Sequence, residues 1–473
     1  MSANAKQELL RELPSLGQLL ESPQVKEWLL RHPRGLVTHC LRQSVEELRR
    51  QILEDTAGRC GAAHVRAEYI LQQAAERLEQ ALTPQLRRAI NATGIILHTG
   101  LGRAVWPARV VEGMAQELKG YVSLAVDRQS GLRSDRDQRV EYILTELTGA
   151  EAATVVNNNA AATLLVLSAL TAGHEVVVSR GQLIEIGGAF RLPEVMALSG
   201  AKLVEVGTTN RTHGRDYLAA LTDQTAALLR VHPSNFRVVG FTQEVSLEEM
   251  AQTARQHNLL LIDDLGAGAL VDLAQFGLPH EPTVQESLEA GADVVLFSAD
   301  KLIGAAQGGV IVGKAALIDR IRKHPLARAC RVDKAQLMVL ERTLMLFRDI
   351  DLLKREHPLY QKLSLQPAEL RSRADELAQA ILAAAPKARA EVVESACYLG
   401  SGSLPTEALP SFAVAVTVEG LAADGLARRL RMDPEGVFGR IENERVLLDV
   451  RTLAPAELPA VAAAVGRAAG KRE

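Results

Sequence analysis

Two hydrophobic periods divide this chain. Up to about Leu82 the apolar residues recur at helical spacing, first across residues 13–20 and then at Val25, Trp28 and Leu29, after a Ser22-Pro23 start signal. His32-Pro33-Arg34-Gly35 reads as a break. Ser44-Val-Glu-Glu reads as the capping box of a third helix continued by Leu48 and Ile52, and a longer helix is expected over 63–82. From Ile90 the texture changes to short apolar runs. Those at 152–156, 175–178, 201–206, 226–231, 259–262 and 293–297 read as strands buried on both faces. Helical patterns separate most of them, so they predict βαβ units and a largely parallel sheet. That alternation stops near Arg342. Beyond Pro358 follow a long helix (367–384), strands at 390–395 and 412–418, a short helix (422–430), a hairpin (437–449) and a last helix from Pro455, which together make a small α+β layer.

The pattern therefore predicts a helical module at 1–62, a linker helix at 63–88, an α/β domain at 89–345 and an α+β domain at 346–473. A length of 473 residues agrees with about three folding units. Apolar residues at 47% and charged residues at 23% are the balance of a globular protein rather than a disordered one. A net charge of −3 provides no global basic field, so an RNA partner would need a local patch. Cys40, Cys60, Cys330 and Cys397 form no C-x-x-C pair, which argues against zinc and against a disulfide framework. No apolar run reaches the roughly 18 residues of a membrane span. The first 20 residues carry Lys6, Glu8, Arg11 and Glu12 where a signal peptide would be apolar. A cytoplasmic protein is expected.

Ligands of a parallel α/β sheet sit beyond the carboxyl ends of its strands, and three such ends carry chemistry. The run at 152–156 leads into Asn157-Asn158-Asn159-Ala160-Ala161-Ala162, small residues at a strand-to-helix turn where backbone N–H groups and the helix dipole can meet an anion. The run at 259–262 ends in Asp263-Asp264-Leu265-Gly266, and a carboxylate there can hold a protonated pyridine nitrogen. The sequence does not say which of the two acids faces the site. The run at 293–297 ends in Ser298-Ala299-Asp300-Lys301, a lysine among small residues that suits a Schiff base. Each feature alone has an ordinary reading as a turn, a cap or a solvated lysine. In this order, before a small C-terminal domain, they give the layout of an aspartate-aminotransferase-type (fold type I) pyridoxal-phosphate enzyme.

At these residues the chain resembles the bacterial selenocysteine synthases. The resemblance runs from Leu13 to Arg451 and rests on Ile90-Asn-Ala-Thr-Gly-Ile-Ile-Leu-His-Thr-Gly-Leu-Gly-Arg103, on 147–162, on Ser179-Arg-Gly-Gln-Leu-Ile-Glu-Ile-Gly-Gly188, on Val206-Gly-Thr-Thr-Asn-Arg-Thr212, on Asp264-Leu-Gly, on Asp300-Lys301 and on 324–334. It implies conversion of seryl-tRNA(Sec) to selenocysteinyl-tRNA(Sec) through an aminoacrylate, with pyridoxal 5'-phosphate as cofactor and selenophosphate as donor. It further implies Lys301 as the Schiff-base lysine, Asp264 as the pyridine partner, and Asn158, Asn159 and Ala160 as the phosphate cradle. Arg103, Arg328 and Arg331 would hold the donor, a small polyanion suited to forked guanidinium groups. Arg133 and Arg136 correspond to a glycine-arginine loop in which Ser134 replaces the usual glycine. Asp300 or a protonated Lys301 would protonate the departing hydroxyl. Thr208, Thr209 and Asn235 are placed to orient donor or aminoacyl group, and simple turn hydrogen bonding is the competing reading for them. The helical module is expected to help bind tRNA, with Arg31, Arg34, Arg42, Arg49 and Arg50 as candidates. A homo-oligomer built from dimers is expected, and no membrane. The alternative is a related lyase acting on a small amino acid without tRNA.

Overall fold

The computed structural model describes residues 3–56, 58–187 and 190–470. They form two compact units, Met1–Arg88 and Ala89–Glu473.

The first unit is helical: α1 (Ala3–Glu12), α2 (Leu16–Leu20), α3 (Pro23–Arg31), α4 (Arg34–Glu54) and α5 (Ala67–Leu82). Ser22 caps α3 by accepting from the Val25 N–H, and the predicted break at 32–35 separates α3 from α4. The expected helix start at Ser44 is not there. Ser44 is buried in the middle of α4, and its hydroxyl donates to the Cys40 carbonyl at 3.0 Å. A serine can satisfy itself one turn back along a helix as well as at its start, and the buried Val37, Cys40 and Leu41 carry the apolar stripe through. Helix α5 packs on α4 in the same apolar core, through Ile70, Leu71, Ala74 and Leu78.

The second unit is built on a seven-stranded sheet: β1 (Ala152–Val156), β2 (Glu175–Ser179), β3 (Lys202–Val206), β4 (Thr225–Val231), β5 (Leu260–Gly266), β6 (Val294–Ser298) and β7 (Gly309–Gly313). The spatial order is β1-β7-β6-β5-β4-β2-β3. Strand β7 is antiparallel to both its neighbours, and the remaining strands share one direction. The apolar runs read as doubly buried strands for a simple reason: alternate residues enter separate cores. Ala153 and Val155 of β1 face one layer, whereas Ala152 and Val156 face the other. A second, four-stranded antiparallel sheet comprises β8 (Ala388–Gly400), β9 (Ser403–Val418), β10 (Arg440–Glu442) and β11 (Arg445–Asp449) in the order β8-β9-β11-β10. Asn443 and Glu444, both at positive φ, turn β10 into β11, as a tight two-residue hairpin requires. The helices Pro367–Ala384 and Leu458–Gly470 pack with this sheet in one apolar cluster. This is the aspartate-aminotransferase-type architecture that the order of the three strand ends implied. Among the described residues no helix is long and apolar enough to cross a membrane.

Candidate active site

Strand β6 delivers Lys301. After Ser298 the chain makes a compact loop: the Ala299 N–H donates to the Gly308 carbonyl, and the Ala305 N–H donates to the Ala299 carbonyl. Helix Pro358–Ser364 fastens the loop from behind. Tyr360 Oη donates to the Leu302 carbonyl at 3.0 Å, and the ring of His357 bonds the Ile303 carbonyl at 2.9 Å. Lys301 is only 5% exposed. Burial first, and then the Arg103 cation, hold its amine below the usual lysine range, against the pull of Asp264, Asp300 and Glu281. Among the described residues no carboxylate lies within salt-bridge distance of that amine.

Strand β5 supplies the opposing acid, and the strand's two-residue period decides which one. Asp263 points to one face and pairs with Arg230 at 3.1 Å. Asp264 points to the other face and lines the cavity that holds Lys301. Its carboxylate accepts from Asn159 Nδ2 at 2.8 Å, Thr163 Oγ1 at 2.9 Å and the Gly266 N–H at 3.1 Å. Burial pushes its pKa up, and these three donors oppose the shift.

Helix α6 (Asn159–Thr171) begins where β1 ends, with Asn158 as its cap accepting from the Ala161 N–H. Asn158, Asn159 and Ala160 line the same cavity of about 270 Å³. Gly309 of β7 runs so close behind this turn that a Cβ there would stand 2.2 Å from the Asn158 carbonyl oxygen. Arg103 enters from a left-handed backbone position, φ 63°, and its guanidinium meets Asp300 at 2.7 Å. A non-glycine residue held there costs about 1–2 kcal/mol, and the ion pair offsets part of that.

Lys301, Asp300, Asp264, Asn158, Asn159, Ala160 and Arg103 thus share one cavity. Arg328 and Arg331 line a second cavity of about 520 Å³, together with Arg133 and Arg136. The linings of the two cavities adjoin along the chain at the end of β1. Val156 lines the second cavity and bridges to Arg331, the Asn157 N–H donates to the Cys330 carbonyl, and Asn158 lines the first cavity. Arg136 donates to the Val332 carbonyl. Thr208 is engaged in its own turn with Asn210 and Arg211. The Thr209 carbonyl packs against Gly181, and Asn235 donates to the Glu185 carbonyl at 3.0 Å. None of these three lines the Lys301 cavity. Gly188, the last residue of the 179–188 motif, lies outside the described residues.

Sequence reasoning missed His232. It follows β4, lines the cavity, donates its backbone N–H to the Asp264 carbonyl, and sets Nε2 3.2 Å from the buried Glu281 carboxylate. The strand-end rule that found Asp264 applies equally to Val231-His232.

That opposition of lysine and aspartate across adjacent strand ends, on this sheet order, places the chain in the class of aspartate-aminotransferase-type enzymes. Among solved structures, a D-glucosaminate-6-phosphate ammonia-lyase has the same fold, with a TM-score of 0.56 and 23% identity over 83% of this chain and 98% of that one. The chain belongs to the L-seryl-tRNA selenium transferase family, whose model matches residues 89–454; residues 10–49 match the model described as selenocysteine synthase N terminal. It is 45% identical to the L-seryl-tRNA(Sec) selenium transferase of Caldanaerobacter subterraneus subsp. tengcongensis, over 94% of this chain and 95% of that protein. Identity to the enzyme of the same name from Desulfotalea psychrophila is 48%, over 80% and 81%.

Proposed function

We propose that this chain converts seryl-tRNA(Sec) to selenocysteinyl-tRNA(Sec), with pyridoxal 5'-phosphate as cofactor and selenophosphate as selenium donor. The observation that carries this reading is the buried Lys301 amine sharing one cavity with Asp264, in a chain that matches its relatives along nearly its whole length.

The residues present fit the cofactor. Asp264 is a buried carboxylate with no cation within 4 Å among the described residues, which is the environment a protonated pyridine nitrogen completes. Lys301 would hold the aldehyde carbon, and the free N–H groups at the start of α6 would hold the phosphate. When bound, the cofactor supplies an electron sink for the serine α-carbon. Everything else falls to the chain. The Lys301 amine, its pKa lowered by burial, would take the α-proton. Asp300, positioned by Arg103, and Lys301 itself are the two groups able to protonate the departing hydroxyl. Arg103 presents its remaining donors to a polyanion at the cavity, and the Arg328 and Arg331 pair extends that positive surface past the end of β1. In this reading the helical unit contributes to tRNA binding and the chain assembles from dimers, to be checked by light scattering.

Purified protein should shift serylated selenocysteine tRNA and, given selenophosphate, incorporate selenium into it. Lys301→Ala should lose the incorporation and the visible absorbance of the lysine-bound cofactor while keeping the shift. A wild-type protein that consumes a small amino acid yet ignores this tRNA would establish the lyase alternative instead.

A further inference from the structure

Away from these two cavities, the C-terminal layer contains a third, polar cavity of about 380 Å³. Lys354 reaches it from helix Ile350–Glu356, Lys362 from Pro358–Ser364 and Arg373 from Pro367–Ala384, and Leu453, Ala454 and Pro455 close one side. The three cations are partly buried, and among the described residues none has a carboxylate within 4 Å. Their neighbours on the same helices behave differently. Arg371 pairs with Asp375 at 3.3 Å, and Arg355 contacts Glu356 at 3.6 Å. The one acid in the lining, Glu369, accepts from the N–H of Gln366, the cap of its helix, and Glu457 nearby accepts from the Ala454 N–H. The cavity also adjoins the N-terminus of an 18-residue helix, whose dipole adds to the positive field. Behind it, Arg451 is tied to the Lys362 and Pro410 carbonyls and feels the Arg373 charge. Burial lowers the Lys362 pKa against the pull of Glu457, and an arriving anion would oppose that shift further.

We propose that this cavity is a phosphoryl-binding site, in which Arg373 offers a forked donor pair and Lys354 and Lys362 offer point charges to the oxygens of a phosphate group. The structure carries the chemistry of the ligand: three basic side chains, none with a carboxylate within 4 Å among the described residues, line one space, with the Lys354 amine 5.4 Å from the Phe276 ring. Two sources share that chemistry, a backbone phosphate of the tRNA and a free phosphate. The first rests on the function proposed above, and the second does not.

The test uses the full-length holoenzyme with Lys362→Gln and Arg373→Gln, singly and together, and with Arg371→Gln as a paired, outward-facing control. Two probes are titrated: uncharged selenocysteine tRNA across a salt series, and inorganic phosphate followed by calorimetry. If a tRNA phosphate occupies the site, the log–log salt slope of tRNA binding falls by about one in the double variant, which loses that one phosphate contact. In that case phosphate alone gives no heat that the variants abolish. If free phosphate is the ligand, wild type binds it saturably, the double variant does not, and the tRNA affinity is unchanged. Equal behaviour of wild type and double variant toward both probes overturns the proposal. Failure of wild type to bind this tRNA at all counts against the assigned substrate but leaves the phosphate titration able to support or refute the site. Melting temperature and cofactor absorbance show whether each variant is folded, and either single substitution suffices if the pair is not.

Discussion

Gly309→Ala isolates the turn that would receive the cofactor phosphate. Gly309 lies in β7 opposite Val156, and a Cβ there would stand 2.2 Å from Asn158 O, 2.5 Å from Asn158 C and 2.9 Å from Asn159 N. All three are backbone atoms, so no side chain can rotate away, and the start of α6 must retreat by about 1 Å. Overpacking of this kind costs about 1–3 kcal/mol. Because the strain falls on Asn158 and Asn159, most of it should appear as lost cofactor affinity, about 5- to 150-fold. The adjacent Gly308 is the control. Its Cβ would meet Ala299 Cβ at 3.4 Å and Val155 Cγ1 at 3.5 Å, which is ordinary contact. Titrating apoprotein with pyridoxal phosphate and following the visible absorbance gives both affinities. Cofactor binding by Gly309→Ala as tight as that of Gly308→Ala would refute the argument that this turn holds the phosphate.

Three further outcomes follow from the same geometry. Burial raises the pKa of Asp264 above its ordinary 3.8, so the folded apoprotein holds a proton that the unfolded chain has released, and stability falls as pH rises through that window. Apo Asp264→Asn should therefore melt above apo wild type at neutral pH, with the gap closing in acid, and it should bind cofactor more weakly; identical pH dependence of the two melting curves would contradict this. The buried imidazole of His357 is pushed down to about 4 from 6.5, so its contribution is complete above 6.5 and is lost as pH falls toward 4, amounting to about 3 kcal/mol. His357→Asn should flatten the acid side of the melting profile, and an unaltered acid slope would count against the assignment. Glu281→Gln removes the carboxylate that fixes His232 beside Asp264. It should slow turnover about tenfold or more without changing the tRNA shift, and a change in tRNA affinity alone would place His232 outside the chemistry.

Much of this was legible in the sequence because burial on both faces of a sheet leaves unbroken apolar runs. Six of the seven main-sheet strands start or end within two residues of such a run, and the strand-end rule leads directly to Asp264 and Lys301. The C-terminal strands were read short for the converse reason: β8 and β9 extend well past their apolar stretches into half-exposed residues paired mainly by backbone. Ser44 misled because its hydroxyl serves a helix interior as readily as a helix start. The choice between Asp263 and Asp264 depended on strand register, which composition does not reveal. Arginine spacing likewise could not show that Arg103 lines one cavity while Arg328 and Arg331 line the next.

The fastening of the Lys301 loop by Tyr360 and His357 has a consequence for reading mutants. The two peptide carbonyls that follow the lysine are hung on a helix of the C-terminal layer, not on the sheet from which the lysine emerges. Mechanically, the Lys301 amine is a fitting shared between two walls, and its aim depends on both. A substitution that loosens the Phe276, Phe347 and Tyr360 ring cluster would present itself as an altered cofactor spectrum before it presented itself as an unstable protein.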